Sequence, residues 1–362
     1  MKLRAAALAL LMVTCTQLGV SPMASPKSAS SPAGPPVAGD LPLTKVDFSC
    51  HLPVSKYSGG GDFASYSNGF IAFPAATFSP DPNGGIHSRY LEQDFATDAA
   101  PVLHGTPQGG SPSYDLAQPR WVPVSSAQLT ADGGSYAYTT FSRNSSQILA
   151  HVVNVRSATE KIFDVSQVDR AQVADFGTTG VYLIVPSALG GAGEGVWLLN
   201  PASGAVDRLR AMQQVMAVRD GYAWVGRIDP RNPPPQQAEG TVANTIVRLD
   251  LQSGTETTWY YRSGAILWLY GFDSRGKPVI GVGGPPNGVG EIRLVEQPGS
   301  QGVQVYSGGF PLSGPRGDGD RLWFSGAAGI YLYTPAHGLR KVFAFTADAN
   351  SADRFEPAGF CR

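Results

Sequence analysis

Two turn signals alternate along this chain, six occurrences of each, and they restrict its fold more than any other feature. One enters an apolar run: Asn68-Gly69, Asp132-Gly133, Thr179-Gly180, Asp220-Gly221, Arg275-Gly276 and Asp318-Gly319. The other follows such a run: Ala117-Gln118, Ala158-Thr159, Ser203-Gly204, Ser253-Gly254, Gly299 to Gly302, and His337-Gly338. Glycine, asparagine and aspartate reach the backbone angles of a tight hairpin at least cost. Strands flanking two such turns come in fours, at a period of roughly 40 to 50 residues, the pattern of a propeller blade. The expected architecture is an all-β, six-bladed β-propeller with four antiparallel strands per blade. Seven blades is the alternative, if residues 44–66 and 346–362 build one more.

The blades are expected over residues 62–124, 127–165, 172–209, 215–261, 266–306 and 313–345. Their strands are β-branched, aliphatic and aromatic, as in Val181-Tyr182-Leu183-Ile184-Val185 and Leu322-Trp323-Phe324. No helical periodicity of useful length follows the N-terminal segment. Within a blade, the first and third turns lie on one face and the second connection on the other. The second connections carry the length variation, at 75–113, 139–147, 186–194, 229–244 and 283–290. They are expected to gather around one mouth of the channel, where long loops are often functional.

That face supplies the candidate binding residues. The first connection carries His87, Arg89, Tyr90 and Asp94, with Glu92, Asp98 and His104 close in sequence. Histidines among carboxylates have the chemistry of a metal site. Their spacing fits no ligand motif, so a solvated polar loop is expected, and no metal. The fourth connection carries Arg227, Asp229, Arg231 and Asn232 ahead of Pro233-Pro234-Pro235. The prolines stiffen it into a recognition edge or a plain surface excursion. Tyr136, Tyr138, Tyr182, Trp197, Tyr222, Trp224, Trp268, Trp323, Tyr331 and Tyr333 fall at strand positions and are expected to pack between blades. His51, His151 and His337 stand alone and read as structural or surface residues.

The N-terminus reads as an export signal. Residues 1–4 are short and basic, residues 5–13 are apolar and too few to span a bilayer, and a signal peptide is expected over 1–14. Cys15 follows in Leu11-Met12-Val13-Thr14-Cys15, which resembles a bacterial lipobox. Residues 15–43, rich in Ser, Pro, Ala and Gly, read as a flexible tether ahead of a domain at 44–362. Two outcomes stay open: lipidation of Cys15, or cleavage near residues 21–25 and free secretion. The three cysteines are Cys15, Cys50 and Cys361. The last two bracket the domain, and a ring brings chain ends together, so an oxidising compartment permits a Cys50–Cys361 disulfide. A formal net charge of -1 with no run of like charge leaves no footprint for nucleic acid. Membrane contact is expected only through a lipid on Cys15.

The run Leu129-Thr130-Ala131-Asp132-Gly133-Gly134-Ser135-Tyr136-Ala137-Tyr138, echoed at residues 196–209 and in Leu249-Asp250-Leu251-Gln252-Ser253-Gly254, resembles TolB-type β-propeller repeats. The resemblance covers most of residues 120–345. It departs in the fifth repeat, where Glu296-Gln297-Pro298-Gly299 replaces the second turn. It implies the propeller fold and a binding role in the periplasm or at the cell surface, and it supplies no catalytic residue.

No phosphate loop, nucleophile elbow, Cys-x-x-Cys pair or His-Glu-x-x-His run is present. The expected function is a non-catalytic, monomeric binding or scaffold module without a cofactor. It presents its long-loop face to a protein or glycan at the cell envelope. A carbohydrate-active hydrolase or lyase, its site assembled from single residues on several blades, is the alternative.

Overall fold

Neighbouring residues within one strand bury their side chains in two different cores, because successive side chains leave opposite faces of a sheet. Tyr136 and Tyr138 pack with Val122, Val124 and Val153, while Ala137 between them packs with Val173, Val181 and Leu183. Likewise Ala223 and Val225 pack against Tyr182 and Val196, whereas Trp224 packs against Leu267, Ile280 and Val282. Both faces of these strands are covered. That accounts for continuous apolar runs in place of simple polar–apolar alternation.

The computed structural model describes residues 41–58, 65–88, 103–106, 111–141, 147–185, 194–233, 243–283, 290–308, 312–326, 328–345 and 354–362. The signal peptide, Cys15 and most of the tether lie outside the described residues, as do Arg89, Tyr90 and Asp94. The described chain is all-β and forms six larger antiparallel sheets. Sheet 1 orders Arg354–Pro357, Cys50–Ser58, Ser65–Phe73 and Thr77–Pro80. Sheet 2 has three strands, Ser135–Phe141, Ile148–Asn154 and Glu160–Asp164. Sheet 3 is Gln172–Gly177, Gly180–Val185, Glu194–Leu199 and Val206–Arg210. Sheet 4 is Val215–Arg219, Tyr222–Arg227, Thr245–Asp250 and Glu256–Tyr261. Sheet 5 is Ile266–Phe272, Pro278–Gly283, Gly290–Leu294 and Val303–Gly308. Sheet 6 is Arg316–Asp318, Arg321–Gly326, Gly329–Thr334 and Gly338–Ala344. Between sheets 1 and 2 the chain forms a short parallel pair, His87–Ser88 with His104–Gly105, and a hairpin, Ser113–Asp115 with Arg120–Val122.

Apolar clusters join sheets 2 and 3, 3 and 4, 4 and 5, and 5 and 6. Another joins sheet 6 back to sheet 1, with Trp323, Ile330 and Leu332 against Leu52, Val54 and Phe73. Phe70 of sheet 1 packs on Tyr114 and Trp121 of the hairpin, whose Val122 packs on sheet 2. Asp318 strengthens the contact between sheets 6 and 1. Its Oδ2 accepts from Trp323 Nε1 at 3.1 Å and from the Cys361 backbone N–H at 3.3 Å, and it ion-pairs with Arg321 at 3.1 Å.

The two ends of the domain meet within sheet 1. Arg354–Pro357 pairs antiparallel with Cys50–Ser58, from Val54 opposite Pro357 to Tyr57 opposite Arg354. The pairing continues through Ala358 N–H to Pro53 O at 2.9 Å and His51 N–H to Arg362 O at 2.8 Å. Cys50 and Cys361 are joined by a disulfide, their Cα atoms 5.5 Å apart.

The first repeat differs from its sequence reading. Among the described residues, the strands of 62–124 fall in different sheets and do not form one four-stranded unit. Residues 50–58 and 354–357 complete sheet 1 together with residues 65–80, rather than building a separate unit. Asn68-Gly69 lies inside Ser65–Phe73 and makes no turn. A Cβ on Gly69 would stand 2.3 Å from the Ser79 carbonyl oxygen, so glycine there serves close strand approach. Asn68 is buried, its Oδ1 accepting from Ser55 Oγ at 2.6 Å and its Nδ2 donating to Gly84 O at 2.6 Å. Among the described residues sheet 2 has no fourth strand, and the 3₁₀ turn Ser126–Gln128 lies against Gln172–Gly177 and Ser135–Phe141. Fully buried Gln128 bonds the local backbone, accepting from Ser125 N–H at 2.9 Å and donating to Thr106 O at 3.1 Å.

Candidate functional site

Three groups of polar side chains have the chemistry to bind or react. The first is the connection after Tyr222–Arg227. Asp229 Oδ1 accepts from the Arg231 N–H at 3.0 Å and from Arg231 Nε at 3.1 Å. The Arg231 guanidinium holds the Asp229 carboxyl below the usual range. Arg231 is exposed and Asp229 half-buried, and beneath them sits Asn244, fully buried. Its Oδ1 accepts from the Asp229 N–H at 2.8 Å, and its Nδ2 donates to the Asn232 carbonyl. Asn244 therefore clamps both ends of the turn. The structure brings Asp229, Arg231 and Asn232 together, but Arg227 is engaged elsewhere, with Glu256 Oε1 at 2.5 Å. His87 belongs to the short parallel pair with His104, and its side chain lies outside the described residues. Asn244 had no motif to reveal it; an isolated asparagine before a β-branched strand is unremarkable in sequence.

The second group is centred on His151, which is fully buried. Its Nε2 is 2.7 Å from Thr140 Oγ1, its Nδ1 is 2.9 Å from Glu160 Oε1, and Tyr138 stacks on its ring at 4.5 Å. Tyr138 also donates to Glu160 at 2.8 Å. The distances are those of a nucleophile, base and orienting carboxylate. Thr140, however, is fully buried, so its oxygen is not open to solvent. The network satisfies polar groups between sheet strands.

The third group lies between the first hairpin turns of sheets 4 and 5. Arg219, Asp220, Tyr222, Trp224, Arg248, Trp259, Arg275, Gly276 and Lys277 surround a solvent-open concavity of about 140 Å³. The cations lie over aromatic rings. Arg219 is 5.0 Å from the Phe272 centroid, Arg248 is 4.4 Å from Tyr222 and 5.3 Å from Trp259, and Lys277 is 5.5 Å from Trp259. Trp259 in turn meets Trp224 edge-on at 5.1 Å. Near the rim, the Asp220 N–H donates to Asp175 Oδ2 at 3.2 Å. Burial pushes the Asp175 carboxyl up to about 7, opposed by that hydrogen bond. Reading by motif missed this group because its cations come from separate strands and no short spacing joins them.

Most aromatic residues expected between blades are buried there. Tyr136, Tyr138, Trp323 and Tyr331 are at most 1% exposed, while Trp197, Tyr222 and Trp268 are half-buried. Among the described residues, no three His, Cys, Asp or Glu side chains group closely enough to hold a metal ion. No helix among them is long and apolar enough to cross a membrane. No protein-family model matches the chain, and no curated protein matches its sequence.

Proposed function

We propose that this chain is an exported, monomeric six-bladed β-propeller of the TolB-type repeat class. In this reading it is a non-catalytic module that presents its long-connection face to a protein or glycan at the cell envelope. Six sheets joined in sequence by apolar clusters, with the last packed on the first, support the ring and the blade number. The disulfide accords with export. Delivery is by the residue 1–14 signal, followed by lipidation at Cys15 or release.

The observation that carries the binding reading is the Asn244 clamp. A buried side chain holds the backbone of half-buried Asp229, which pairs with exposed Arg231, and the Asn232 carbonyl in one fixed presentation. Preorganised polar groups at the end of a rigid hairpin lose little entropy on docking. The test is retention of purified protein on envelope material from its own cells. The substitution Arg231→Ala is expected to reduce retention several-fold with thermal stability nearly unchanged, since an ion pair through so exposed an arginine contributes little to folding. Equal retention of the variant and the parent would sink the assignment of this face.

A further inference from the structure

The concavity between sheets 4 and 5 concentrates positive charge in a chain that is nearly neutral. Four cationic side chains line it against one carboxylate, Asp220, while the whole chain has 27 basic and 28 acidic residues. Arg275 is balanced by Asp273 at 2.8 Å and Glu296 at 3.2 Å. Among the described residues Arg219 ion-pairs with Asp220 alone, at 3.3 Å, a carboxylate largely in solvent, and acts on Asp175 through space. Arg248 and Lys277 have no ion pair and no side-chain hydrogen bond among the described residues; Asp250 acts on Arg248 only through space. Stacking on Trp259 fixes both cations while leaving their N–H donors unused. Trp259 adds an independent observation. It is 3% exposed, and its Nε1–H, which can only donate, has no acceptor.

We propose that this concavity binds a tetrahedral oxyanion, a phosphate or sulfate group. The cations come from separate elements: Arg219 from the first strand of sheet 4, Arg248 from the third, and Lys277 from the first turn of sheet 5, with Trp259 of the fourth strand beneath two of them. A carboxylate offers two oxygens in one plane. A tetrahedral oxyanion offers acceptors in several directions and a second negative charge, matching cations supplied to one concavity by several elements. The aromatic faces here carry cations, so the site selects by charge and not by stacking on a sugar ring. Its opening to solvent leaves room for a group attached to a larger molecule. The assignment rests on sheets 4 and 5 alone and does not depend on the long-connection face.

The experiment titrates the full-length chain with inorganic phosphate and with sulfate, chloride holding ionic strength constant. Thermal unfolding and the indole N–H resonances are followed, with Trp259 assigned by its disappearance in Trp259→Phe. Both anions are expected to raise Tm and to shift the Trp259 resonance, because Arg248 and Lys277 lie over its ring. Arg248→Gln/Lys277→Gln is expected to weaken binding roughly tenfold or more. Should that double variant fail to fold, Lys277→Gln alone is expected to weaken binding several-fold at unchanged Tm in the absence of anion. A phosphorylated polyol polymer that binds tighter than inorganic phosphate identifies a polymer-borne group; equal affinity per phosphate identifies the free ion. A Trp259 resonance that stays fixed, or an equal response from the parent and Lys277→Gln, overturns the proposal.

Discussion

Asp175 shows how one side chain's surroundings set a property of the whole protein. Its carboxyl lies partly buried in the first strand of sheet 3 and titrates at about 7 against an ordinary 3.8. Between those values the folded chain holds a proton that the unfolded chain has released, so native protein binds more protons and stability falls as pH rises. The contribution is fully present below about pH 4 and is lost as pH rises through about 7. Its size is on the order of 4 kcal/mol. Urea unfolding of Asp175→Asn is expected to flatten this stretch of the stability–pH profile, because an amide still accepts the Asp220 N–H without a charge to desolvate. A variant profile as steep as the parent's would remove Asp175 as the cause. Trp323 is the packing counterpart. It is fully buried, stacks on Phe73 at 5.5 Å and donates to Asp318. Trp323→Ala is expected to cost about 3–5 kcal/mol in chemical denaturation.

At the scale of elements, similar dipeptides have different physical meanings. Gly221 turns the first hairpin of sheet 4 with φ at +79°, a backbone region that other residues enter at a cost. Gly69 sits in mid-strand because the neighbouring strand leaves no room for a Cβ. The two positions separate by substitution. Gly299→Ala, at φ +74° with open space around it, is expected to lose about 1 kcal/mol from backbone strain alone. Gly69→Ala is expected to lose clearly more, since backbone on both strands must move. Comparing the two denaturation midpoints checks this; equal losses would mean that sheet 1 yields easily at its third strand.

For the whole molecule, the joining of the chain ends dominates. Sheet 1 takes strands from both ends of the domain, and the disulfide closes a loop with a sequence separation of 311 residues. Constraint of the unfolded chain by so long a loop gives at most roughly 5 kcal/mol. Cys50→Ser is therefore expected to lower Tm by many degrees under oxidising conditions, and reductant is expected to bring the parent down to the same value. A variant melting with the oxidised parent would show that strand pairing alone secures the ends.

Local chemistry was legible in the sequence. Hairpin turns such as Asp132-Gly133, Asp220-Gly221 and Ser253-Gly254, the strands between them and the all-β class follow from residue-level preferences that act over a few positions. The pairing of Cys50 with Cys361 followed from their places at the two ends of the domain. What lies far apart in sequence was decided only by tertiary structure. The first sheet recruits Arg354–Pro357 because strand pairing depends on where chain ends meet, a quantity no local pattern encodes. For the same reason Asn244 beneath Asp229, and Arg248 and Lys277 over Trp259, become partners only once the sheets are packed.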